Sequence, residues 1–135
     1  MATPHSKLTI TDGIATIRII NPPFNVMTLS LRKTILCQVL ELRQRSDIRV
    51  VIFESAEGKA FSTGFDISEF PPDEPGALAM IRFAQYLLDI ILNLPQITIV
   101  KLHGHVLGGG ACLMLACDFR IAAADTKIGM PEIKV

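Results

Sequence analysis

Two hydrophobic periods alternate along this chain, and that alternation constrains its fold more than any other feature. Residues 7–11 and 14–20 alternate apolar and polar side chains around Asp12-Gly13, a pattern that predicts a β-hairpin. Residues 28–46 then carry apolar side chains at helical spacing, and residues 50–53 form a β-branched run typical of a buried strand. Strands alternating with helices predict an α/β fold.

The same alternation continues through the rest of the chain. A helix is predicted between Pro75 and Pro95, since proline is favoured at a helix start and a later proline ends the helix. The pattern then predicts a buried strand, a glycine-rich turn, an apolar helix and two short strands, over residues 97–102, 104–110, 111–117, 119–123 and 127–129. Residues 56–70 are rich in small and polar side chains and are predicted to form a loop.

The hydrophobic content exceeds what a chain of this length readily buries. Hydrophobic residues make up 50% of the 135 residues, and the mean hydropathy is +0.43. A domain of about 150 residues buries only roughly 70% of the surface that its unfolded chain exposes. We therefore expect apolar surface left for a partner, a ligand or a missing part of the chain. The longest apolar stretch, residues 86–94, falls well short of the ~18–20 residues that span a bilayer, so no membrane segment is expected.

Charge and cysteine content exclude several functions. The 13 basic and 13 acidic residues cancel, so the chain lacks the basic excess that nucleic-acid binding requires. The charged residues of the first predicted helix, Arg32, Lys33, Glu41 and Arg43, lie mostly off its apolar stripe. The three cysteines, Cys37, Cys112 and Cys117, lie in apolar surroundings and are predicted to be reduced, buried thiols. Their spacing predicts no metal site, and residues 1–7 carry no secretory signal pattern, so we expect a cytoplasmic location.

Two predicted loops and one carboxylate carry the candidate chemistry. Residues 103–110 end in three glycines and precede a predicted helix, whose first free N–H groups can bind an anion or a developing oxyanion. Residues 59–67 follow another predicted strand and are a candidate source of a second backbone N–H. Glu132 is a candidate general base at the end of a strand. Taken singly, these patterns also fit a tight turn, an ordinary strand-to-helix connection and the start of a helix.

In their order along the chain, these segments resemble the crotonase superfamily, which comprises the enoyl-CoA hydratases and isomerases. The matching segments are Asn21-Pro-Pro-Phe-Asn-Val-Met27, Ala60-Phe-Ser-Thr-Gly-Phe-Asp-Ile67, Gly104-His-Val-Leu-Gly-Gly-Gly110, Cys117-Asp118 and Gly129-Met-Pro-Glu-Ile133. The resemblance covers the N-terminal half of the family, with residues 1–135 as one partial domain. It implies a crotonase-like spiral of ββα units, truncated before the C-terminal helical part. It also implies a homo-oligomer, a trimer or a dimer of trimers, for the full-length protein.

The resemblance implies acyl-CoA thioesters as substrates and no cofactor beyond the coenzyme A that the substrate carries. The thioester oxygen would be bound by the backbone N–H groups of Phe65 and Gly109, with Glu132 as acid and base. Thr63 and Phe65 replace smaller residues that are frequent in that loop of the family. The implied substrate-binding residues are Thr63, Gly64, Phe65, Asp66, Ile67, Ser68, Gly108, Gly109 and Cys112.

One position departs from the pattern of the family's hydratases, which use two glutamates. Glu132 matches the second glutamate, but Cys112 stands where the first is found, and a neutral thiol is a poor partner for water. A single carboxylate suffices to move a proton from C2 to C4, so isomerisation of 3-enoyl-CoA to 2-enoyl-CoA is the preferred hypothesis. Hydration of 2-enoyl-CoA, acyl-CoA decarboxylation or hydrolysis, and a non-catalytic acyl-CoA-binding module stay open as alternatives.

Overall fold

The structure, a computed structural model, describes residues 5–134. The prediction that residues 1–7 carry no signal sequence falls partly on residues 1–4, which lie outside the described range, and it stays a prediction.

Within residues 5–134 the chain forms eight strands and three α-helices. The strands are β1 His5–Thr11, β2 Ile14–Ile20, β3 Val50–Ser55, β4 Ala60–Ser62, β5 Ile97–Leu102, β6 His105–Leu107, β7 Phe119–Ala122 and β8 Lys127–Gly129. The helices are α1 Leu29–Arg43, α2 Glu74–Leu92 and α3 Gly109–Ala116, and 3₁₀ turns cover Ile67–Glu69 and Pro131–Lys134. The order of elements gives three consecutive ββα units followed by a fourth pair of strands. The predicted α/β class and the ββα repeat are therefore confirmed.

The strands divide between two sheets. A five-stranded sheet has the order β1-β2-β3-β5-β7, in which only the β1–β2 hairpin is antiparallel. A three-stranded sheet has the order β4-β6-β8, and both of its pairings are parallel. From the second unit onwards, the first strand of each pair joins the large sheet and the second joins the three-stranded sheet. The C-terminal ends of β4, β6 and β8 therefore lie at one edge.

Two of these strands lie in segments for which the sequence predicts no strand, so the prediction is wrong there. β4 lies inside residues 56–70, which were predicted to be a loop, and β6 lies inside the predicted glycine-rich turn 104–110. Each strand has three residues, too few to display a period of two, and each occupies a segment of small or turn-forming residues.

The apolar stripe of α1 forms the centre of the core. Leu31, Ile35, Val39 and Leu42 are buried at its predicted helical spacing, together with inward-facing residues of β2 and β3. The Thr28 hydroxyl oxygen caps the helix by accepting the Leu31 N–H at 3.2 Å. Burial of each large aliphatic side chain stabilises the fold by about 1.5–3 kcal/mol.

The burial of Arg32 and of the cysteines differs from what their sequence positions suggest. Arg32 lies off the apolar stripe in sequence but is fully buried in the structure. Cys37 was expected to be buried and is exposed, Cys112 is half-buried, and only Cys117 has the expected position in the core. Burial raises the pKa of the Cys117 thiol to about 12, so this side chain stays protonated.

Helix α2 is long and apolar. Its mean hydropathy reaches 1.3, and by length and composition it is the one described helix that would suffice to cross a membrane, a test that core helices of soluble proteins also pass. Here it begins at an Asp73 cap and packs against α1 and α3. Its buried residues are Met80, Ala84, Leu87, Ile90 and Ile91.

Large apolar side chains remain exposed at the end of the described chain. They lie on α3, β7, β8 and the last 3₁₀ turn, and more than half of each is accessible: Leu115, Phe119, Ile121, Ile128 and Ile133. The structure thus confirms the expectation that apolar surface remains uncovered.

Asp118 ties the turn after α3 to the start of β5. Its Oδ2 accepts hydrogen bonds from the backbone N–H and the hydroxyl of Thr98, each at 2.8 Å, while the Asp118 N–H donates to the Thr98 hydroxyl oxygen. The bonds from the Thr98 N–H and hydroxyl lower the pKa of Asp118 below its usual range.

We expect Asp118→Asn to lower the free energy of unfolding by about 1 kcal/mol at neutral pH, because charge-assisted hydrogen bonds to an exposed group are lost. A carboxyl with a lowered pKa stabilises the fold above its unfolded pKa of about 3.9, and this contribution disappears as pH falls through the folded value. Urea unfolding at several pH values should therefore show the two proteins converging in acid. Asp125→Asn, in the exposed turn between β7 and β8, is the matched control, and a difference independent of pH would contradict the prediction.

Candidate functional site

The three-stranded sheet brings the three candidate segments together. The loop with Phe65 follows β4, Gly108 and Gly109 follow β6, and the turn with Glu132 follows β8. Because β6 is the central strand, the second loop lies between the other two. In parallel sheets, ligands bind at the C-terminal ends of strands, so this edge is the candidate site.

Asn25 fixes the turn that supports the first loop. This fully buried side chain donates hydrogen bonds from Nδ2 to the carbonyl oxygens of Ala56 and Ala60, each at 2.9 Å. Its Oδ1 accepts the Asn21 N–H at 2.9 Å. The Asn21–Met27 segment, matched in sequence only as a motif, is thus held against the start of β4.

Met27 then leaves the Phe65 N–H free. The Met27 N–H donates to the Gly64 carbonyl at 2.8 Å, and the Met27 carbonyl accepts the Asp66 N–H at 3.4 Å. A parallel bridge of this kind uses the groups on either side of Phe65, so the Phe65 N–H faces away from Met27. It has no acceptor among the residues that the structure describes.

The second free donor belongs to the first residue of α3. Gly108 has a φ of 52°, a left-handed conformation that favours glycine, and its N–H donates to the Gly129 carbonyl of β8 at 3.1 Å. The Gly108 carbonyl accepts the first helical bond, from Cys112 at 2.9 Å. The Gly109 N–H has no acceptor within residues 5–134, as expected for the first turn of a helix.

The two loops are in direct contact. A methyl group placed on Gly64 would lie 3.0 Å from the Gly109 nitrogen, and one placed on Gly109 would lie 2.5 Å from Cε1 of Phe65. Only residues without a side chain allow this approach, so the sequence requires glycine here for packing. The Phe65 and Gly109 amides thus belong to segments that touch.

Glu132 approaches the same place from the third segment. It lies in the exposed 3₁₀ turn Pro131–Lys134, and its Oε1 lies where a side chain on Gly108 would project. Burial, and secondly the charge of Glu132, raise the pKa of the half-buried Cys112 thiol. Cys112 therefore stays protonated at neutral pH.

A cavity of about 640 Å³ opens at this edge and is mostly apolar. It is lined by seven of the predicted site residues: Thr63, Gly64, Phe65, Asp66, Ile67, Gly109 and Glu132. Ser68, Gly108 and Cys112, also predicted, are not among its lining residues. Asp66 bonds to Ser68 in the 3₁₀ turn that follows, with its Oδ1 accepting from the Ser68 N–H and hydroxyl at 3.0 and 2.6 Å.

Four further residues line the cavity without having been identified from sequence: Val26, Phe70, Ile81 and Pro131. Val26 and Pro131 lie inside the quoted motifs, so the motifs themselves could have indicated them. Ile81 lies on α2, far along the chain, and no local signal distinguishes it from the other apolar residues of that helix. Among the described residues, no group of three or more His, Cys, Asp and Glu side chains is placed to hold a metal ion.

Comparison with known proteins identifies similar chains. A model of the enoyl-CoA hydratase/isomerase family matches residues 9–135. A probable enoyl-CoA hydratase from Bacillus subtilis is 34% identical over 132 residues, which are 96% of this chain and 50% of that protein. A glyoxysomal fatty acid beta-oxidation multifunctional protein from Brassica napus is 32% identical over 128 residues, which are 92% of this chain and 18% of that protein.

Solved structures agree with the architecture. An enoyl-CoA hydratase from Geobacillus kaustophilus superposes with a TM-score of 0.91 and 33% identity, covering 99% of this chain and 52% of that protein. Pseudomonas aeruginosa DspI gives a TM-score of 0.90 and 25% identity, covering 96% of this chain and 50% of the other. The crotonase-like fold is therefore confirmed, and this chain spans about half the length of these proteins.

Because the Phe65 ring contacts Gly109, we expect Gly109→Ala to change the free energy of unfolding in opposite directions with and without that ring. Gly109→Ala should destabilise the fold by about 1–3 kcal/mol, because the new methyl group displaces the Phe65 ring. In a Phe65→Ala background the same change should stabilise the fold by up to about 1 kcal/mol, since alanine is the better helix former. Urea unfolding of the four proteins measures the coupling, and equal effects in both backgrounds would show that the ring does not pack on Gly109.

Proposed function

This chain belongs to the enoyl-CoA hydratase/isomerase family, and we propose that it acts on acyl-CoA thioesters by stabilising an enolate with the Phe65 and Gly109 N–H groups. One observation carries the proposal: two backbone donors that have no acceptor among residues 5–134 lie on touching loops at the wall of a mostly apolar cavity. Loss of a proton beside a thioester carbonyl places negative charge on the oxygen. Preset donors stabilise that charge more than the ground-state carbonyl, by about 3–4 kcal/mol for each donor.

Glu132 is the proposed acid and base. Its side chain lines the same cavity as both donors and lies against Gly108, next to one of them. With 3-enoyl-CoA, its carboxylate removes a proton from C2, the electron pair moves onto the thioester oxygen, and the same group returns the proton at C4. The product is 2-enoyl-CoA, and no atoms or electrons enter from outside. For this reason we propose no cofactor beyond the coenzyme A of the substrate.

Isomerisation is preferred over hydration because Cys112 stands at the sequence position where the pattern of the family's hydratases has the first of two glutamates. Hydration needs one group to deprotonate water and another to deliver a proton, and a half-buried thiol of raised pKa does neither well. Hydration of 2-enoyl-CoA is the second candidate, because the Bacillus subtilis and Geobacillus kaustophilus proteins bear the name enoyl-CoA hydratase.

The apolar surface around β7 and β8 supports a proposal about assembly. These strands expose Phe119, Ile121 and Ile128, and exposed apolar patches commonly mark interfaces. We propose that this surface is covered in a homo-oligomer, a trimer or a dimer of trimers, of the full-length protein, and that the protein acts in the cytoplasm.

We expect Glu132→Gln to lower the rate of proton transfer at C2 by roughly 10²–10⁴-fold, the range typical of a lost general base. Transfer of solvent deuterium into C2 of an enoyl-CoA, followed by NMR, measures this step independently of which product forms. Affinity for the thioester, measured by calorimetry, should change little. Glu57→Gln makes the same substitution at an exposed position between β3 and β4 and is the control. Unchanged exchange in Glu132→Gln would favour the non-catalytic binding module, and a wild-type chain that neither binds nor exchanges contradicts the proposed function.

The two candidate reactions separate when the chain is assayed with 3-enoyl-CoA and with 2-enoyl-CoA under the same conditions. The wild type should isomerise the first faster than it hydrates the second, because one carboxylate serves both proton transfers. Cys112→Glu should shift the ratio of the two kcat/KM values towards hydration by supplying a second carboxylate, whereas Cys37→Glu at an exposed position should leave it unchanged. Faster hydration by the wild type would overturn the preference for isomerisation.

A further inference from the structure

Arg32 is a fully buried cation beside the candidate site, and the proposed chemistry gives it no role. It lies in the first turns of α1, and its guanidinium carbon is 4.5 Å from the centroid of the Phe65 ring. Its Nη2 is 3.7 Å from Oε2 of Glu69, an ion pair too long for a hydrogen bond. Nε, Nη1 and Nη2 have no hydrogen-bond partner in the described part of the chain.

Stability does not explain this placement. Burial is the largest influence on the guanidinium and lowers the pKa of Arg32, against the opposing charge of Glu69. Buried ion pairs are weak contributors to stability, and apolar residues of similar size often replace them without loss. The retained charge therefore has to be explained by what the guanidinium contacts.

Those contacts join Arg32 to Phe65 within the first loop and to Glu69 in the 3₁₀ turn that follows it. The Phe65 ring contacts the guanidinium, a cation–π arrangement that strengthens when water is excluded. The same ring lies where a side chain on Gly109 would project. In the 3₁₀ turn after the loop, Glu69 pairs with Arg32 and also accepts the N–H of Leu29, the first residue of α1, at 2.5 Å.

We propose that Arg32 is a positioning residue for the oxyanion site: its guanidinium holds the Phe65 ring against Gly109 and so fixes the two N–H donors relative to each other. The catalytic consequence rests on the proposed function, whereas the contact can be tested without substrate. Removing the guanidinium leaves Glu69 with its bond to the Leu29 N–H and with 31% of its side chain accessible to water, so no fully buried charge is orphaned.

The first test uses NMR of the ligand-free chain. The Phe65 ring should shift the Gly109 Hα resonances by its ring current, and Arg32→Met should move these resonances towards their positions in Phe65→Leu. Arg32→Lys retains a cation and should preserve most of the wild-type shift. Lys33→Met removes a charge from the exposed neighbouring position and should change nothing. Gly109 resonances that are unchanged in Arg32→Met would overturn the inference.

The second test measures polarisation of a bound carbonyl. A cinnamoyl-CoA thioester bearing a para-dimethylamino group absorbs at longer wavelength when its carbonyl accepts strong hydrogen bonds. The wild type should produce this red shift, Arg32→Met should lose most of it while still binding the thioester, and Arg32→Lys should restore much of it. Turnover of enoyl-CoA should fall in parallel by roughly tenfold to a hundredfold, since a misplacement of about 1 Å has effects of this size.

The outcomes separate the inference from the proposed function. A wild type that binds the thioester without a red shift contradicts the oxyanion assignment, while the Gly109 resonances still decide whether Arg32 holds the ring. A red shift that survives in Arg32→Met overturns the positioning role alone. An Arg32→Met protein that is unfolded, or has a clearly lower urea midpoint than the wild type, also overturns it, because the guanidinium would then serve the fold.

Discussion

Parallel pairing of three very short strands is the constraint on which the rest of this molecule depends. Because β4, β6 and β8 run in the same direction, the segments that follow them leave the sheet at one edge. Those segments are separated along the chain by α2 and by the α3–β7 unit, and no local interaction would otherwise bring them together. The helices and the larger sheet set the positions of these strands, and the site follows from the pairing.

The candidate site depends on two backbone N–H groups that have no acceptor among residues 5–134. A buried N–H without an acceptor ordinarily destabilises a protein by about 1–3 kcal/mol, and folded chains avoid it. Here the Met27 bridge satisfies the groups on either side of the Phe65 N–H, and the Gly109 N–H is free because it begins a helix. Phe65 and Gly109 both line a cavity of about 640 Å³. The two N–H groups without an acceptor in the described chain thus lie where, in the proposed reaction, negative charge would develop on a bound thioester oxygen.

How far the sequence predicts this structure depends on the length of each element. The β1–β2 hairpin and α1 display their periods over many residues, and both were found where the pattern predicted them. β4 and β6 have three residues each, so no period identifies them, although they carry the loops of the site. The motifs located Phe65, Gly109 and Glu132 along the chain, but the contact between Phe65 and Gly109 depends on strand pairing. The burial of Arg32 contradicts helical periodicity because an aromatic ring and a distant carboxylate provide its surroundings.

The three segments of the site are not held equally well, and this difference bears on function. The first loop is fixed by Asn25, Met27 and the contacts of Arg32, and the second by the helix that it begins. Glu132 instead follows β8, an edge strand of three residues, and lies in an exposed turn. The two N–H groups proposed to bind the thioester oxygen are therefore fixed by the described fold, whereas the position of Glu132, the proposed acid, depends on one strand pairing. If the proposed function holds, contacts made to the exposed face of β8 would therefore act on proton transfer more than on binding of the carbonyl.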